Sequence, residues 1–180
     1  MVRQLVERIR QKDQRAMAEL YRQYVEELSS VCYRYVPHES DAKDVLQNSF
    51  VKIFTSIGSI EFRGEASFRG WMKKVVANEA LCFLKNRKRL LYAEQAAVSL
   101  SAEPDEEPEP ERISPDELHR LIKELPDGYR TVLNLFVFEG YSHRQISQLL
   151  GISEATSASQ LYYAKRLLAK RIKDVTKEEG

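Results

Sequence analysis

Between residues 156 and 170 the chain carries Thr156, Ser159, Gln160, Tyr163, Arg166 and Lys170. Hydroxyls and amides hydrogen-bond the edges of bases, and cations neutralise phosphates, so this set suits contact with nucleic acid. Take Leu161 as the zero of a helical wheel at about 100° per residue. Ala164, Leu168, Ile172 and Val175 then fall within about 60° of it. Thr156, Ser159, Tyr163, Arg166 and Lys170 fall within about 40° of the opposite direction. One face is core and the other is a polar stripe. Ser157 lies about 40° from Leu161, on the core side, so a valine there is expected to stabilise the packing.

The element in front of this helix must brace it. Ser142 is placed to cap a short helix whose apolar face is Ile146, Leu149 and Leu150. Gly151 supplies a turn where left-handed backbone costs least. Ser153 is placed to cap the polar-striped helix, with Glu154 favoured in its first turn. The pair reads as a helix-turn-helix, with early side chains of the second helix at base edges and later cations near phosphate. An amphipathic hairpin with a merely wet polar face has the same pattern, so this stretch alone leaves both readings open.

Upstream, apolar periodicity predicts helices throughout and no strand. A short amphipathic helix covers about 2–11. A second starts from the cap Asp13, carries Met17, Leu20, Tyr24, Leu28, Val31 and Tyr35, and ends at Pro37. A third begins near Ser40 or Asp41 with Val45, Leu46, Phe50, Ile53, Phe54 and Ile57 inward. A loop over 58–66 precedes a fourth from Ser67 to about Lys88, with Phe68, Trp71, Met72, Val75, Val76, Ala80 and Phe83 on its apolar side. Lys74, Asn78, Lys85 and Arg89 form a basic stripe along it. Ser114, Pro115 and Glu117 mark the start of a helix to Leu125, and Pro126 opens another through Phe138.

The net charge of +1 conceals a division. Residues 1–92 hold 17 Lys and Arg against 11 Asp and Glu, whereas 93–113 hold one Arg against seven acids and three prolines. Residues 114–180 hold ten basic residues against nine acidic. The expectation is an all-α protein of two small helical domains, 1–92 and 114–180, the second containing the helix-turn-helix. The acidic linker 93–113 joining them is too polar to bury a core and is expected to be flexible. No run approaches the roughly 18–20 apolar residues of a membrane span, and the N-terminal stretch lacks a signal peptide's apolar segment. A cytoplasmic protein without membrane insertion is expected. Cys32 and Cys82 sit in apolar patterns and read as buried reduced thiols, and His38, His119 and His143 offer no metal spacing. No metal or cofactor is expected. Without a glycine-rich phosphate loop or a nucleophile–base spacing, neither is an enzyme.

With both halves read, the chain resembles the extracytoplasmic-function (ECF) group of bacterial RNA polymerase sigma factors. The likeness rests on LYRQYVEEL at 20–28, DAKDVLQNSFVKIF at 41–54, SFRGWMKKVVANEAL at 67–81 and ELPDGYRTVLNLFVFEGYSHRQISQLLGIS at 124–153. It implies a subunit that binds core RNA polymerase and promoter DNA, recognises the minus-thirty-five and minus-ten elements, and helps open the duplex; an anti-sigma factor is the further partner implied. Asp41, Asp44, Gln47 and Phe50 match the segment that docks on the polymerase clamp. The loop from Glu61 to Ser67, with Arg63, matches the one that captures an unstacked minus-ten base. Trp71, Lys74 and Asn78 match the helix that holds that element, although Trp71 reads equally well as core. Many members carry Val-Lys-Ser-Arg where this chain has Ser157, Ala158, Ser159 and Gln160, so two expected cations are missing. Gln pairs with adenine where Arg prefers guanine, which implies a different upstream preference read through Gln160. The competing class is a stand-alone helix-turn-helix regulator with a sensing N-terminal half, a role that needs no basic stripe.

Overall fold

Most helix starts are marked by a cap, a glycine or a proline. The computed structural model describes residues 2–86 and 113–178, as helices joined by turns with no strand among the described residues. The chain divides into two compact units, Met1–Phe83 and Leu84–Gly180. The linker expected over 93–113 lies outside the described residues except for Ile113, as do the boundary expected at 92 and Arg89 of the basic stripe.

In the first unit, α1 (Val2–Arg10) buries Val2, Leu5, Val6 and Ile9. Asp13 accepts from the N–H groups of Arg15 at 2.9 Å and Ala16 at 3.2 Å, which starts α2 (Gln14–Tyr35). Leu20, Tyr24, Leu28, Val31 and Tyr35 of the expected stripe are all buried. The helix stops at Val36, extended at φ −119° and ψ 95° because it precedes Pro37. Next, α3 (Glu39–Ser56) begins slightly before Ser40, and its cap position is His38, which makes no side-chain cap bond. Glu39 and Asp41 instead complement the helix N-terminus electrostatically. Gly64, at φ 115°, lets the chain turn into α4 (Glu65–Asn86) two residues ahead of Ser67.

Phe68, Met72, Val76, Ala80 and Leu81 of α4 are buried, and Phe68 meets Tyr24 edge to face at 6.3 Å. Arg69 grips Glu27 of α2 with two hydrogen bonds, 2.8 and 3.1 Å, and Lys73 joins the same carboxylate at 2.7 Å. Cys32 is buried and its thiol is pushed up to about 12, so it is a neutral packing group. Cys82 is exposed, which corrects the reading of both cysteines as buried.

In the second unit, Ser114 caps α5 (Pro115–Lys123) through the N–H of Glu117 at 3.2 Å. Then come α6 (Asp127–Leu133), a π-helical extension (Asn134–Phe138), α7 (His143–Leu150) and α8 (Glu154–Glu178). The corner between α5 and α6 closes on Arg130, which is only 2% exposed. Its guanidinium donates to the carbonyls of Leu125 at 2.6 Å and Lys123 at 3.2 Å and pairs with Asp127. A buried guanidinium is tolerated because those oxygens satisfy it.

Arg69, and then Lys73, hold the Glu27 carboxylate below its ordinary 4.5. The folded state therefore binds this proton more weakly than the unfolded chain does. The resulting stability is fully present above about pH 4.5 and is lost as pH falls through the lower folded value. Urea unfolding from about pH 7 down to about pH 3 should show wild type more stable than Glu27→Gln, with the gap closing in acid. A gap that stays constant across that range would remove the ion pairs from the account.

Candidate nucleic-acid interface

Between α3 and α4 the backbone runs through an exposed loop whose side chains line a groove of about 300 Å³. Ile60, Glu61, Phe62, Arg63, Ser67, Phe68 and Trp71 form its walls. Trp71 is neither fully enclosed nor fully exposed. Its indole stacks on buried Phe68 at 5.7 Å with planes 24° apart, and it is half-exposed to the groove. Phe62 packs against Phe68 from the loop side at 6.0 Å. Such aromatic walls offer stacking surface to an unstacked base, worth about 1–3 kcal/mol per base. Arg63 is held in a fork by Glu61, at 2.7 and 3.0 Å. Both partners are exposed, so the pair is weak enough to exchange for phosphate. Lys74 and Asn78 follow Trp71 at i+3 and i+7, and both are exposed on α4.

On α3, Asp44 and Gln47 are exposed and Asp41 is half-buried. Phe50 is buried at 4%, yet its ring lies 4.7 Å from that of Tyr21 and forms the floor of a second groove of about 540 Å³. Gln47, Leu46, Val51 and Phe54 line it too, and Asp41 and Asp44 do not. Tyr21 and Val51 are 44% and 55% exposed, an apolar rim on an otherwise polar surface.

The helix-turn-helix forms around its caps. Ser142 Oγ accepts from the Gln145 N–H at 3.3 Å, and the Gln145 side chain accepts from the Ser142 N–H at 2.9 Å. Gly151 takes φ 71° and ψ 32°. Ser153 Oγ accepts from the Thr156 N–H at 2.9 Å, and Ser159 Oγ donates to the Thr156 carbonyl at 3.0 Å.

Packing of α8 against α5, α6 and α7 together gives it a wider buried arc than a single seam would. Leu161, Ala164 and Ile172 are buried as expected, and so are Ser157 and Gln160, at 0% and 6%. The buried centre is turned about 40° from Leu161 toward Gln160. Two candidate residues, Gln160 on the flank and Tyr163 within the expected stripe, are drawn inward. The Gln160 side chain is enclosed, which corrects its assignment as a base-edge reader. Tyr163 is half-buried, its ring stacked at 6.1 Å on that of buried Tyr129. Tyr162, 56% exposed, and exposed Lys165 stand outward with Ser159 and Lys170. The Arg166 guanidinium lies 5.7 Å over the Tyr162 ring. Leu167 was the sequence signal for this rotation, because it lies on the Gln160 side of Leu161.

Ser157 is inside, as its wheel position implies, but it is not there as an apolar filler. Its Oγ lies 3.0 Å from Nδ1 of His143, whose ring stacks on Phe136 at 4.7 Å. The bond ties the first turn of α7 to the first turn of α8. Ser157→Val should therefore destabilise the second unit, by about 1–3 kcal/mol, because it strips a half-buried imidazole of its partner. Thermal or urea unfolding of the two proteins decides it. A valine variant as stable as wild type would mean that water replaces the hydroxyl.

Both halves of the chain match known proteins. Residues 20–90 match the family described as Sigma-70 region 2, and 116–168 match Sigma-70, region 4. The RNA polymerase sigma-H factor of Pseudomonas aeruginosa is 30% identical, over 97% of this chain and 95% of that protein. The ECF RNA polymerase sigma-E factor of Haemophilus influenzae is 31% identical, over 93% of each. Among solved structures, CnrH in complex with the cytosolic domain of CnrY covers 96% of this chain and 97% of that one. It has a TM-score of 0.50 at 19% identity, a likeness of fold. Two matched regions in order, carrying a groove and a helix-turn-helix, place the chain in the ECF group of RNA polymerase sigma factors, the subunits that give the polymerase its promoter recognition and start transcription.

Proposed function

We propose that this sigma factor divides promoter recognition between its two halves, 1–92 and 114–180, on either side of the acidic segment 93–113. The groove beside Trp71 receives an unstacked base of the minus-ten element. Arg63, Lys74 and Asn78 hold the strand that carries it. The outer stripe of α8, formed by Thr156, Ser159, Tyr162, Lys165, Arg166 and Lys170, reads the minus-thirty-five element. Lys165 supplies a cation that residues 158 and 160 lack. The observation that carries this reading is the groove itself, with aromatic walls from Phe62, Phe68 and Trp71 and a guanidinium at its rim. Asp44 and Gln47, beside the apolar groove of Phe50, dock on core polymerase.

The protein acts by binding, without catalysis of its own, in the cytoplasm where the polymerase works. An anti-sigma factor is its further partner. Two observations support that: the solved fold neighbours include RpoE of Bartonella quintana with the anti-sigma factor NepR, and the apolar rim of Tyr21 and Val51 is open to a partner.

Asp44→Lys should lose core polymerase in a pull-down while keeping its melting temperature, since an exposed acid contributes little to the fold. Wild-type capture by that variant would take α3 out of the docking surface. For the upstream element, selection from randomised DNA should return a changed motif for Tyr162→Ala and an unchanged one for Gln160→Arg. A changed motif only for the Gln160 variant would reverse the assignment. Lys170→Ala should weaken binding on all sequences alike and lower the salt slope by about 1. A loss confined to one sequence would make Lys170 a base reader.

A further inference from the structure

Among the described residues, no backbone–backbone hydrogen bond holds residues 60–63, which form one wall of the groove beside Trp71. A cation from the far end of the first unit reaches this wall instead. Arg10, in the last turn of α1, donates from Nη2 to the Ile60 carbonyl at 2.5 Å and from Nε to the Ile57 carbonyl at 3.3 Å. Its third nitrogen, Nη1, is braced by the Glu7 carboxylate at 2.8 Å. Ile57 is the residue that closes α3, so its carbonyl lies at the negative end of that helix and suits a guanidinium. Ile60 is the first residue of the groove wall.

The guanidinium is a planar fork, and its span ties the end of α3 to the start of the wall. At the glycine between them, Gly58, no neighbour lies within 4 Å of where a Cβ would stand, so packing does not confine the loop there. At the other end of the wall, Gly64 is equally open.

We propose that Arg10 is a positioning residue for base capture: it holds the wall of residues 60–63 at the separation from Trp71 that an inserted base needs. The proposal rests on the reading of the groove as a base receiver. It gives α1, which makes no other contribution to that groove's lining, a part in opening promoter DNA.

The test uses reconstituted holoenzyme and premelted promoter DNA, selected with wild type, carrying 2-aminopurine in turn at each minus-ten position. Fluorescence reports the captured base. Arg10→Ala should weaken capture about ten-fold, the worth of a hydrogen bond to a charged donor, while core binding and upstream-element binding stay at wild-type levels. Arg10→Lys keeps the charge but replaces the fork with a point donor, so it should also lose signal with core binding intact. It decides the matter if the alanine variant fails to fold. Trp71→Ala is the control for the groove. Wild-type capture by Arg10→Lys alongside lost capture by Trp71→Ala would overturn the role of Arg10 and leave the groove standing. Wild-type capture by Trp71→Ala as well would remove the groove reading and the proposal with it. Core binding that falls in step with capture in Arg10→Lys would also overturn the proposal, because the arginine would then be holding the whole unit.

Discussion

The side chains that the second unit offers to DNA depend on one constraint: α8 is buried from three directions. It packs against α5, α6 and α7, so the apolar arc must be wide enough to meet all three. Each added neighbour turns one more position inward. That is why an amide, Gln160, lies in the interior of a helix whose apolar residues would fill a single seam. It also explains why the phenol facing outward is Tyr162, while Tyr163 stacks on Tyr129. The outer stripe is what remains after the inner surfaces are satisfied.

In the first unit the same logic runs through aromatic rings. Phe68 is the pivot: buried at 2%, it touches Tyr24 on the core side, Phe62 on the loop side and Trp71 along α4. The groove is thus an outward continuation of the core, and its stacking surface is held by residues that also stabilise the unit. A groove built this way has aromatic walls anchored in the core. Its rim at residues 60–63 is tied in twice, by Phe62 on Phe68 and by Arg10 at the Ile60 carbonyl.

Among the described residues, several cations rest in ion pairs. Arg63 rests on Glu61, Arg69 and Lys73 share Glu27, Lys52 meets Glu79, and Arg120 lies between Glu117 and Glu124. The roles of these pairs differ with exposure. Glu27 has a side chain 27% exposed and bridges two helices, so its pairs orient α4 on α2. Arg63 and Glu61 are 73% and 74% exposed, and such a pair contributes little to folding and yields readily to a stronger anion.

Local chemistry determined a great deal here by itself. Caps and turn residues act within four positions of sequence, so Asp13, Ser114, Ser142, Gly151 and Ser153 could be assigned before any contact was known, and each performs that role. The apolar period set the helices, and the motifs at 20–28, 41–54, 67–81 and 124–153 pointed to the family. Tertiary packing decided what a wheel drawn for one seam cannot: the rotation of α8, the enclosure of Gln160, the half-exposed stacking of Trp71 on Phe68 and the exposure of Cys82. It alone brought Arg10 to carbonyls 47 and 50 residues away. The reason is physical. Periodicity reports how apolar a direction is, whereas burial depends on how many neighbours arrive from each direction, and their arrival is a property of the folded chain.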